Sequence, residues 1–339
     1  GGIVGEDGFD GIRLGPQPPG NAFVEFQKYL KALSQRGILL AINSKNNFDD
    51  AIQVIREHPS MILKESDFSC IKINWNNKAS NMQEISKELN IGLDSFVFFD
   101  DDPINRELIR ESMPEITTPE LPHDPSFYSE VIQSLHDFST FQITSEDTNR
   151  GQMYLEQKQR TESQNSTSDI SEFLKKLNLE IEIKKTNSFT IPRISQLTLK
   201  TNQFNLTTKR YHEDQIKKFS EDKNILIGCA QIRDKFGDNG ITGVFIVEKT
   251  NYDEWFLDTF LLSCRVMGRE AEKAILYFII NEAKNNNIKR LKAKFIPTEK
   301  NKPIENFLPD CQFYKKDGIW IYNLDKPFNM PDFLTLSEE

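Results

Sequence analysis

Three consecutive aspartates, Asp100 to Asp102, follow the apolar run "FVFF" and directly precede Pro103. Adjacent carboxylates repel one another, the more so when they are desolvated, and a hard divalent cation relieves that repulsion. Mg²⁺ takes few protein carboxylates and fills its remaining positions with water and phosphate oxygens. Asp100 and Asp101 are therefore predicted Mg²⁺ ligands in a site for phosphoryl chemistry. The alternative is a solvated loop in which aspartate forms a turn before proline.

Two other side chains lie at comparable positions. Ser44 ends an apolar run and could bind a phosphoryl oxygen, or it could cap the next helix. Lys78 lies just before a helix and could neutralise developing charge, although a plain surface lysine is the alternative. A hydroxyl, a lysine and a carboxylate pair form a more specific combination than any one of them. Ser44, Lys78 and Asp101 are the predicted catalytic residues, and Asn46 is a predicted substrate contact.

Alternating strand and helix patterns are predicted to bring these side chains together. Apolar runs predict strands at 37–43, 70–75 and 95–99, and helical spacing of apolar residues predicts helices at 22–36, 48–58 and 79–90. This alternation predicts a parallel sheet covered by helices. Such sheets bind ligands beyond the carboxyl ends of their strands, where Ser44 and Asp100 would lie.

The 339-residue length favours two domains. We predict an α/β domain at 1–142, a polar linker or solvated helix at 143–165, an α+β domain at 166–327 and a tail at 328–339. The second domain is expected to have antiparallel strands flanking two or three helices.

Composition excludes several classes of protein. The 42 basic and 51 acidic residues give a net charge of −9, which argues against a general nucleic-acid binder. The four cysteines form no C-x-x-C pair, so neither a zinc knuckle nor a disulfide framework is predicted. Without a membrane-length apolar run or a signal-peptide pattern, the expectation is a reduced, cytoplasmic protein with no membrane partner.

The sequence resembles the FkbH-like proteins of the haloacid dehalogenase superfamily. The segments that carry the resemblance are "GGIVGEDGFDG", "SKNN", "WNNKASNMQEISKELNIGLDSFVFFDDDPINRE" and "LKTNQFNLTTKRY", and together they extend over nearly the whole chain. Ser44 matches the second superfamily motif, Lys78 the third, and Asp100 with Asp101 the fourth. The resemblance implies a dehalogenase-like parallel sheet and a Mg²⁺-dependent phosphatase or phosphotransferase.

The resemblance also implies residues that this sequence lacks. The family's nucleophile is an aspartate in a D-x-D-x-T motif immediately before "GG", and the sequence begins at Gly1. A chain that truly began there would not catalyse phosphoryl transfer by the family mechanism.

The resemblance to FkbH-like proteins implies a specific activity. A glyceryl group would be transferred from 1,3-bisphosphoglycerate to an acyl carrier protein with loss of phosphate. Asn43 occupies a position where some relatives have cysteine, which puts a covalent thiol relay in doubt. The alternatives are a plain Mg²⁺-dependent phosphatase of a small phosphorylated metabolite and a non-catalytic binding module.

The second domain resembles GNAT-family N-acetyltransferases. "SCRVMGREAEKAILYFI" is similar to their R-x-x-G-x-G/A loop, which binds the pyrophosphate of coenzyme A, although Glu270 replaces the last small residue. This implies an acetyltransferase-like fold, with a surface for a substrate or for the phosphopantetheine arm of a carrier. The stretch "LKTNQFNLTTKRY" could line a groove with polar groups, or it could form a helix end and a turn. Predicted contacts in this domain are Lys200, Asn202, Gln203, Asn205, Arg265 and Gly268.

Overall fold

The structure is a computed structural model that describes residues 11–138, 148–165 and 169–339. The chain divides into two compact units, Gly1–Leu155 and Glu156–Glu339. The division falls inside the segment 143–165, for which the sequence predicts a linker or a solvated helix.

The first unit is built on a parallel pair of strands with helices between and after them. Strand β1 pairs with β2, with Ala41 opposite Cys70 and Ser44 opposite Ile73. Apolar side chains from α3 and α4 pack with Cys70 and Phe98 to form the core. The elements of this unit are α1 Gly20–Gln35, β1 Leu40–Ser44, α2 Phe48–Glu57, β2 Phe68–Ile73, α3 Lys78–Leu89, α4 Pro103–Ser112 and α5 Tyr128–Ser134.

Five of the six elements predicted for this unit are present, and the strand at 95–99 is the exception. Val97 makes a single parallel bridge with Thr117. The N–H of Phe98 donates to the Thr117 carbonyl at 2.9 Å, and the N–H of Thr117 donates to the Phe96 carbonyl at 3.1 Å. Among the described residues no ladder extends this bridge, because the chain turns at Asp100 into the cap of α4.

The second unit is a mixed sheet with helices. Along the described chain the strand order is β11-β3-β5-β6-β7-β8-β10-β9, and β4 pairs separately with β7. The pairs β11–β3 and β7–β8 are parallel, and the others are antiparallel. The elements are α6 Arg150–Asn165, whose residues from Glu156 onward belong to this unit, α7 Ile170–Lys176, β3 Leu179–Lys185, α8 Ile191–Lys200, β4 Phe204–Asn205, α9 Glu213–Glu221, β5 Ile225–Asp234, β6 Gly237–Glu248, β7 Glu254–Leu262, α10 Ala271–Asn285, β8 Arg290–Ala293, α11 Phe307–Asp310, β9 Tyr314–Lys316, β10 Ile319–Asn323 and β11 Leu334–Glu338.

Two segments differ from their predictions. The end of the chain, 328–339, is not a tail, because β11 pairs in parallel with β3 and Leu334 is buried. Helix α6 is not fully solvated, because the Arg160 side chain is only 2% exposed and pairs with Asp234. The sequence does not reveal this ion pair, because Asp234 lies 74 residues after Arg160.

The predicted fold class is confirmed, since a parallel α/β unit is followed by an α+β sheet unit. The core of the second unit is formed by α10 packed on the central strands, with Phe245, Phe260 and Ile279 buried. In the described part of the chain, no helix is both long enough and apolar enough to span a bilayer.

Candidate functional site

The strand ends of the first unit bring a lysine and an aspartate together. Lys78 is the first residue of α3, where Asn77 caps the helix by accepting from the Ser80 N–H at 2.7 Å. The Lys78 Nζ lies 3.0 Å from Asp100 Oδ2, and these side chains are only 10% and 6% exposed. Lys78 Nζ also donates to the carbonyl of Asn43 at 2.7 Å. Two charges this buried require each other, since removing either would leave the other uncompensated.

Ser44 lies next to this pair along β1. Its carbonyl accepts the N–H of Asn74 at 3.0 Å, which ties the end of β1 to the residue after β2. Ser44 is partly exposed, and no hydrogen bond to its hydroxyl is found within the described residues. Ser44 is therefore placed at the carboxyl edge of the sheet with its hydroxyl available for a ligand.

Three asparagine side chains form a network behind Lys78. The Asn43 amide donates to the Lys78 carbonyl at 2.9 Å, so side chain and main chain of these two residues bond reciprocally. The fully buried Asn81 donates to Asn43 Oδ1 at 3.1 Å and to Asn74 Oδ1 at 3.0 Å. Buried amides hold a geometry firmly when they are bonded. The residue types alone did not identify Asn43, Asn74 and Asn81 as parts of the site.

The aspartates of the triplet have three different environments. Asp100 is buried, and its Oδ1 accepts the Asp102 N–H at 3.0 Å and the Asn105 amide at 3.2 Å. Asp102 caps α4 by accepting the Ile104 N–H at 2.9 Å, with Pro103 at the first helical position. Asp101 is exposed, and within the described residues its carboxylate has no hydrogen bond.

Arg106 on α4 fixes the backbone of the aspartate loop. Its Nη1 donates to the carbonyls of Asp100 and Asp101 at 2.9 and 3.0 Å, and its Nη2 donates to Glu120. Arg110 binds Glu120 from the other side at 2.6 Å. The hydrogen bonds from Arg106 and Arg110 hold the pKa of Glu120 below its ordinary value. Sequence reasoning missed this clamp, since Glu120 lies 14 residues beyond Arg106.

Tyr128 on α5 is another neighbour of the aspartate loop. Burial raises the pKa of its phenol, and the charge of Asp101 raises it further, while Arg106 opposes the rise. Phe23 and Phe26 of α1 pack edge-on against its ring, with centroids 6.1 and 5.9 Å away. Tyr128 is therefore a neutral hydroxyl near Asp101 at ordinary pH.

The carboxylates at this edge of the sheet suit a hard cation that takes few of its ligands from the protein. Mg²⁺ is typically bound by one or two carboxylates together with waters and phosphate oxygens. Asp101 offers an exposed carboxylate next to Asp100, whose Oδ2 faces Lys78. In the described residues no group of three or more side chains of His, Cys, Asp or Glu forms a complete metal cage. Asp100 and Asp101 are thus carboxylates that could hold Mg²⁺ together with waters and phosphate oxygens.

In the second unit, Asn205 is a structural residue rather than a groove contact. It is fully buried. Its Oδ1 accepts the N–H groups of Thr207 and Thr208 at 3.3 and 2.9 Å, and its Nδ2 donates to the Thr201 carbonyl at 3.2 Å. The buried Asn301 amide also donates to the Asn205 carbonyl at 3.0 Å. The Asn205 amide is committed to shaping the turn that follows β4.

The other predicted contacts in this stretch remain at or near the surface. Lys200 and Gln203 are exposed, and the half-buried Asn202 accepts from Arg210. The stretch is anchored instead through Asp258 on β7, which sequence reasoning did not select. Asp258 Oδ2 accepts from the Tyr211 hydroxyl at 2.7 Å, and burial, aided by this bond, raises the Tyr211 pKa.

The loop before α10 has the backbone expected of its glycine pattern. Gly268 has φ +76°, and a Cβ there would meet nothing within 4 Å, so the requirement for glycine is conformational. Glu270 has φ +63°, a strained value for a non-glycine residue. Arg265 donates to the Asn239 carbonyl at 3.5 Å.

The charges of this loop do not fit a pyrophosphate. Glu270 and Glu272 place carboxylates at the start of α10, where the N-terminus of a helix would otherwise attract an anion. Glu272 has a buried oxygen without a partner in the described chain, and burial raises its pKa. Arg269 is committed to Asp234 at 3.0 Å, and burial lowers its pKa to about 10. The residues of this loop are therefore not suited to the pyrophosphate of coenzyme A.

Several solved structures resemble parts of the chain. The N-terminal part of a Bacteroides fragilis protein, which contains a phosphatase domain and was solved with Mg, is 45% identical over 41% of this chain, with a TM-score of 0.40. The match spans 38% of that chain. A GNAT-family acetyltransferase from Staphylococcus aureus is 15% identical over 42% of this chain and 99% of its own, with a TM-score of 0.33.

A spermidine N-acetyltransferase from Vibrio cholerae, solved with CoA and spermine, is 10% identical over 44% of this chain and 98% of its own, with a TM-score of 0.36. No protein-family model and no curated protein matches the chain.

Proposed function

We propose that the first unit is a Mg²⁺-dependent phosphatase site for a small phosphorylated compound. The observation that carries the proposal is the buried Lys78, held by Asn43 and Asp100 beside the available hydroxyl of Ser44. A fixed ammonium group and a hydroxyl at one sheet edge match what a phosphoryl group requires, namely charge neutralisation and oriented hydrogen-bond donors.

The roles of the chain's own residues follow from their placement. Ser44 donates a hydrogen bond to a phosphoryl oxygen, and Lys78 neutralises charge that develops on another. Asp100 and Asp101 would hold Mg²⁺, which supplies charge screening for the phosphoryl oxygens when bound. Arg106 keeps both aspartate carbonyls in place from behind. The attacking carboxylate in this proposal is the aspartate that the family resemblance assigns to the D-x-D-x-T motif before "GG".

A more specific proposal is acyl transfer, in which a glyceryl group passes from an acyl phosphate such as 1,3-bisphosphoglycerate to an acyl carrier protein. The cysteines give no support to a thiol relay in this chain. Cys70, Cys229 and Cys311 are buried, and burial raises the pKa of Cys264. Asn43, at the position where some relatives have cysteine, is bonded to Lys78. Any acyl transfer would therefore go directly to the carrier thiol, and hydrolysis is the simpler reading.

Phosphate release by the natural full-length protein tests these proposals. It should require Mg²⁺ and proceed without a carrier protein if the phosphatase reading is right. Ser44→Ala should lower kcat about 100-fold, since it removes one oriented donor. Ser134→Ala, on the surface of α5, is the matched control and should leave kcat unchanged.

Two results would redirect the assignment. Release that depends on a carrier protein would favour acyl transfer. Release that is absent with every phosphorylated compound, in a folded protein, would favour the non-catalytic binding module.

A further inference from the structure

An open depression of about 420 Å³ lies at the ends of β1 and β2. The rings of Phe48 and Trp75 and the side chains of Asn46, Asn74 and Asp49 are part of its lining. We propose that this depression binds the uncharged, hydroxyl-bearing part of a phosphorylated substrate, in the form of a sugar ring stacked on Trp75. The inference rests on the proposed phosphatase function and adds the class of substrate to it.

Trp75 is an exposed tryptophan whose ring is oriented by a hydrogen bond. The residue is 70% exposed, while Trp255 is 3% exposed and Trp320 is partly buried. The indole Nε1 donates to Asn47 Oδ1 at 3.1 Å, and the Asn47 amide donates in turn to Asp50 at 3.1 Å. An aromatic ring that is already oriented loses little conformational freedom when a ligand covers it. Trp75 therefore offers apolar area that a ligand can bury at low entropic cost.

The polar lining provides donors and an acceptor around this ring. Asn46 Oδ1 is taken by the Asn47 N–H, and Asn74 Oδ1 is taken by the Asn76 N–H and the Asn81 amide. Within the described residues the Nδ2 groups of Asn46 and Asn74 donate to no protein acceptor. The Asp49 carboxylate adds an acceptor, so the lining can bind a hydroxyl group both as a hydrogen-bond donor and as an acceptor.

Charge selects against a second anionic group in the depression. Asp49 and Asp50 both lie in the first turn of α2 and line the depression. Lys45, the nearest cation along the chain, is exposed in the preceding loop and is not part of the lining. Two carboxylates repel a phosphate or a carboxylate that approaches them. A monophosphorylated sugar, whose ring is uncharged, therefore fits this lining better than a bisphosphate.

The depression is close enough to the proposed phosphoryl site for one ligand to use both. Asn46 follows Ser44 by two residues, which is at most about 7 Å of chain. Asn74, which is part of the lining, donates its N–H to the Ser44 carbonyl at 3.0 Å, and Trp75 precedes Lys78, the first residue of α3, by three residues. A sugar ring against Trp75 can thus present its phosphate to Ser44 and Lys78.

Trp75 itself provides the binding assay. Acrylamide quenching of tryptophan fluorescence in the whole chain reports mainly on Trp75, because Trp255 is shielded. Saturating glucose 6-phosphate should reduce the quenching constant at least twofold, and inorganic phosphate or glycerol 3-phosphate should not. By calorimetry, Trp75→Ala should weaken glucose 6-phosphate binding at least tenfold and Trp75→Phe less than fourfold. Tyr252→Ala, which alters a 98% exposed ring in the second unit, is the matched control and should bind normally.

The outcomes separate this inference from the proposed function. Hydrolysis of glucose 6-phosphate with no protection of Trp75 would overturn the sugar site while leaving the phosphatase intact. Protection of Trp75 without hydrolysis in the natural full-length protein would support the sugar site and contradict the phosphatase. Equal protection by glycerol 3-phosphate, or unchanged affinity of Trp75→Ala, would overturn stacking on the indole.

Discussion

The same conservative substitution should destabilise the first unit at Asp100 and leave its stability almost unchanged at Asp101. Asp101→Asn removes charge from an exposed side chain, so the free energy of unfolding should change by less than about 0.5 kcal/mol. Asp100→Asn removes the carboxylate that faces buried Lys78, and breaking such a pair costs about 3–5 kcal/mol. Because Lys78 keeps its bond to the Asn43 carbonyl, we expect a loss near the lower end, about 3 kcal/mol.

The stabilisation that bound Mg²⁺ gives the folded unit should depend on Asp101, although the fold itself does not. At ten times its dissociation constant, a ligand stabilises the folded state by about 1.4 kcal/mol. For a unit of about 150 residues this corresponds to a rise in Tm of roughly 3–6 °C. Asp101→Asn should reduce that rise to less than about 1 °C, because it removes the exposed ligand while the fold stays intact.

Thermal and urea unfolding followed by circular dichroism would test both statements, with and without Mg²⁺. Asp94→Asn, an exposed aspartate of the same unit, is the matched control and should behave as the wild type. An unchanged Mg²⁺ shift in Asp101→Asn would refute the metal assignment. Equal stability losses in Asp100→Asn and Asp101→Asn would refute the structural role of the buried pair.

Three further predictions concern the second unit. Asp234→Ala should lower its free energy of unfolding by about 3–5 kcal/mol in urea titrations, because Arg160 and Arg269 lose their shared carboxylate. Glu272→Gln should raise the Tm at pH 7 and give no gain below pH about 4. Burial raises the Glu272 pKa, so the wild type loses stability as pH rises above the unfolded pKa of about 4.3. Trypsin should spare the bond after Arg160 in the native protein, because that side chain is buried; early cleavage there, seen by mass spectrometry, would contradict its docking.

The residues at the strand ends were predictable because their placement follows from one rule. Parallel strands end at the same edge, so Ser44, the last residue of β1, could be assigned to that edge without coordinates. The prediction for Asp100 rests on a strand at 95–99, where the structure has a single bridge between Val97 and Thr117. The type and order of Ser44, Lys78 and Asp100 in the chain were sufficient to select them as candidates. The structure places Lys78 against Asp100 directly. Their roles in catalysis and metal binding remain predictions.

The polar stretch 199–211 could not be resolved from sequence because residue type does not give direction. Asparagine suits a ligand groove and a buried turn equally, and the sequence does not show which of the two uses its amide. The Asn205 side chain bonds to Thr201, Thr207 and Thr208. The Asn301 amide, 96 residues later, donates to the Asn205 carbonyl. Asp258, 47 residues beyond Tyr211, fixes the end of the same stretch. The pairing of β11 with β3 is likewise a contact between distant segments, which local patterns do not reveal.

The structure also changes the physical argument that first led to a cation. Adjacent aspartates suggest unrelieved repulsion, yet the triplet already has its relief. Lys78 pairs with Asp100, and Asp102 caps the first turn of α4. Arg106 donates hydrogen bonds to the carbonyls of Asp100 and Asp101. The fold therefore does not require Mg²⁺ to hold the aspartates together. Asp101 is the exposed carboxylate of the three, and we propose that a cation bound there would balance the charge that a phosphorylated ligand brings.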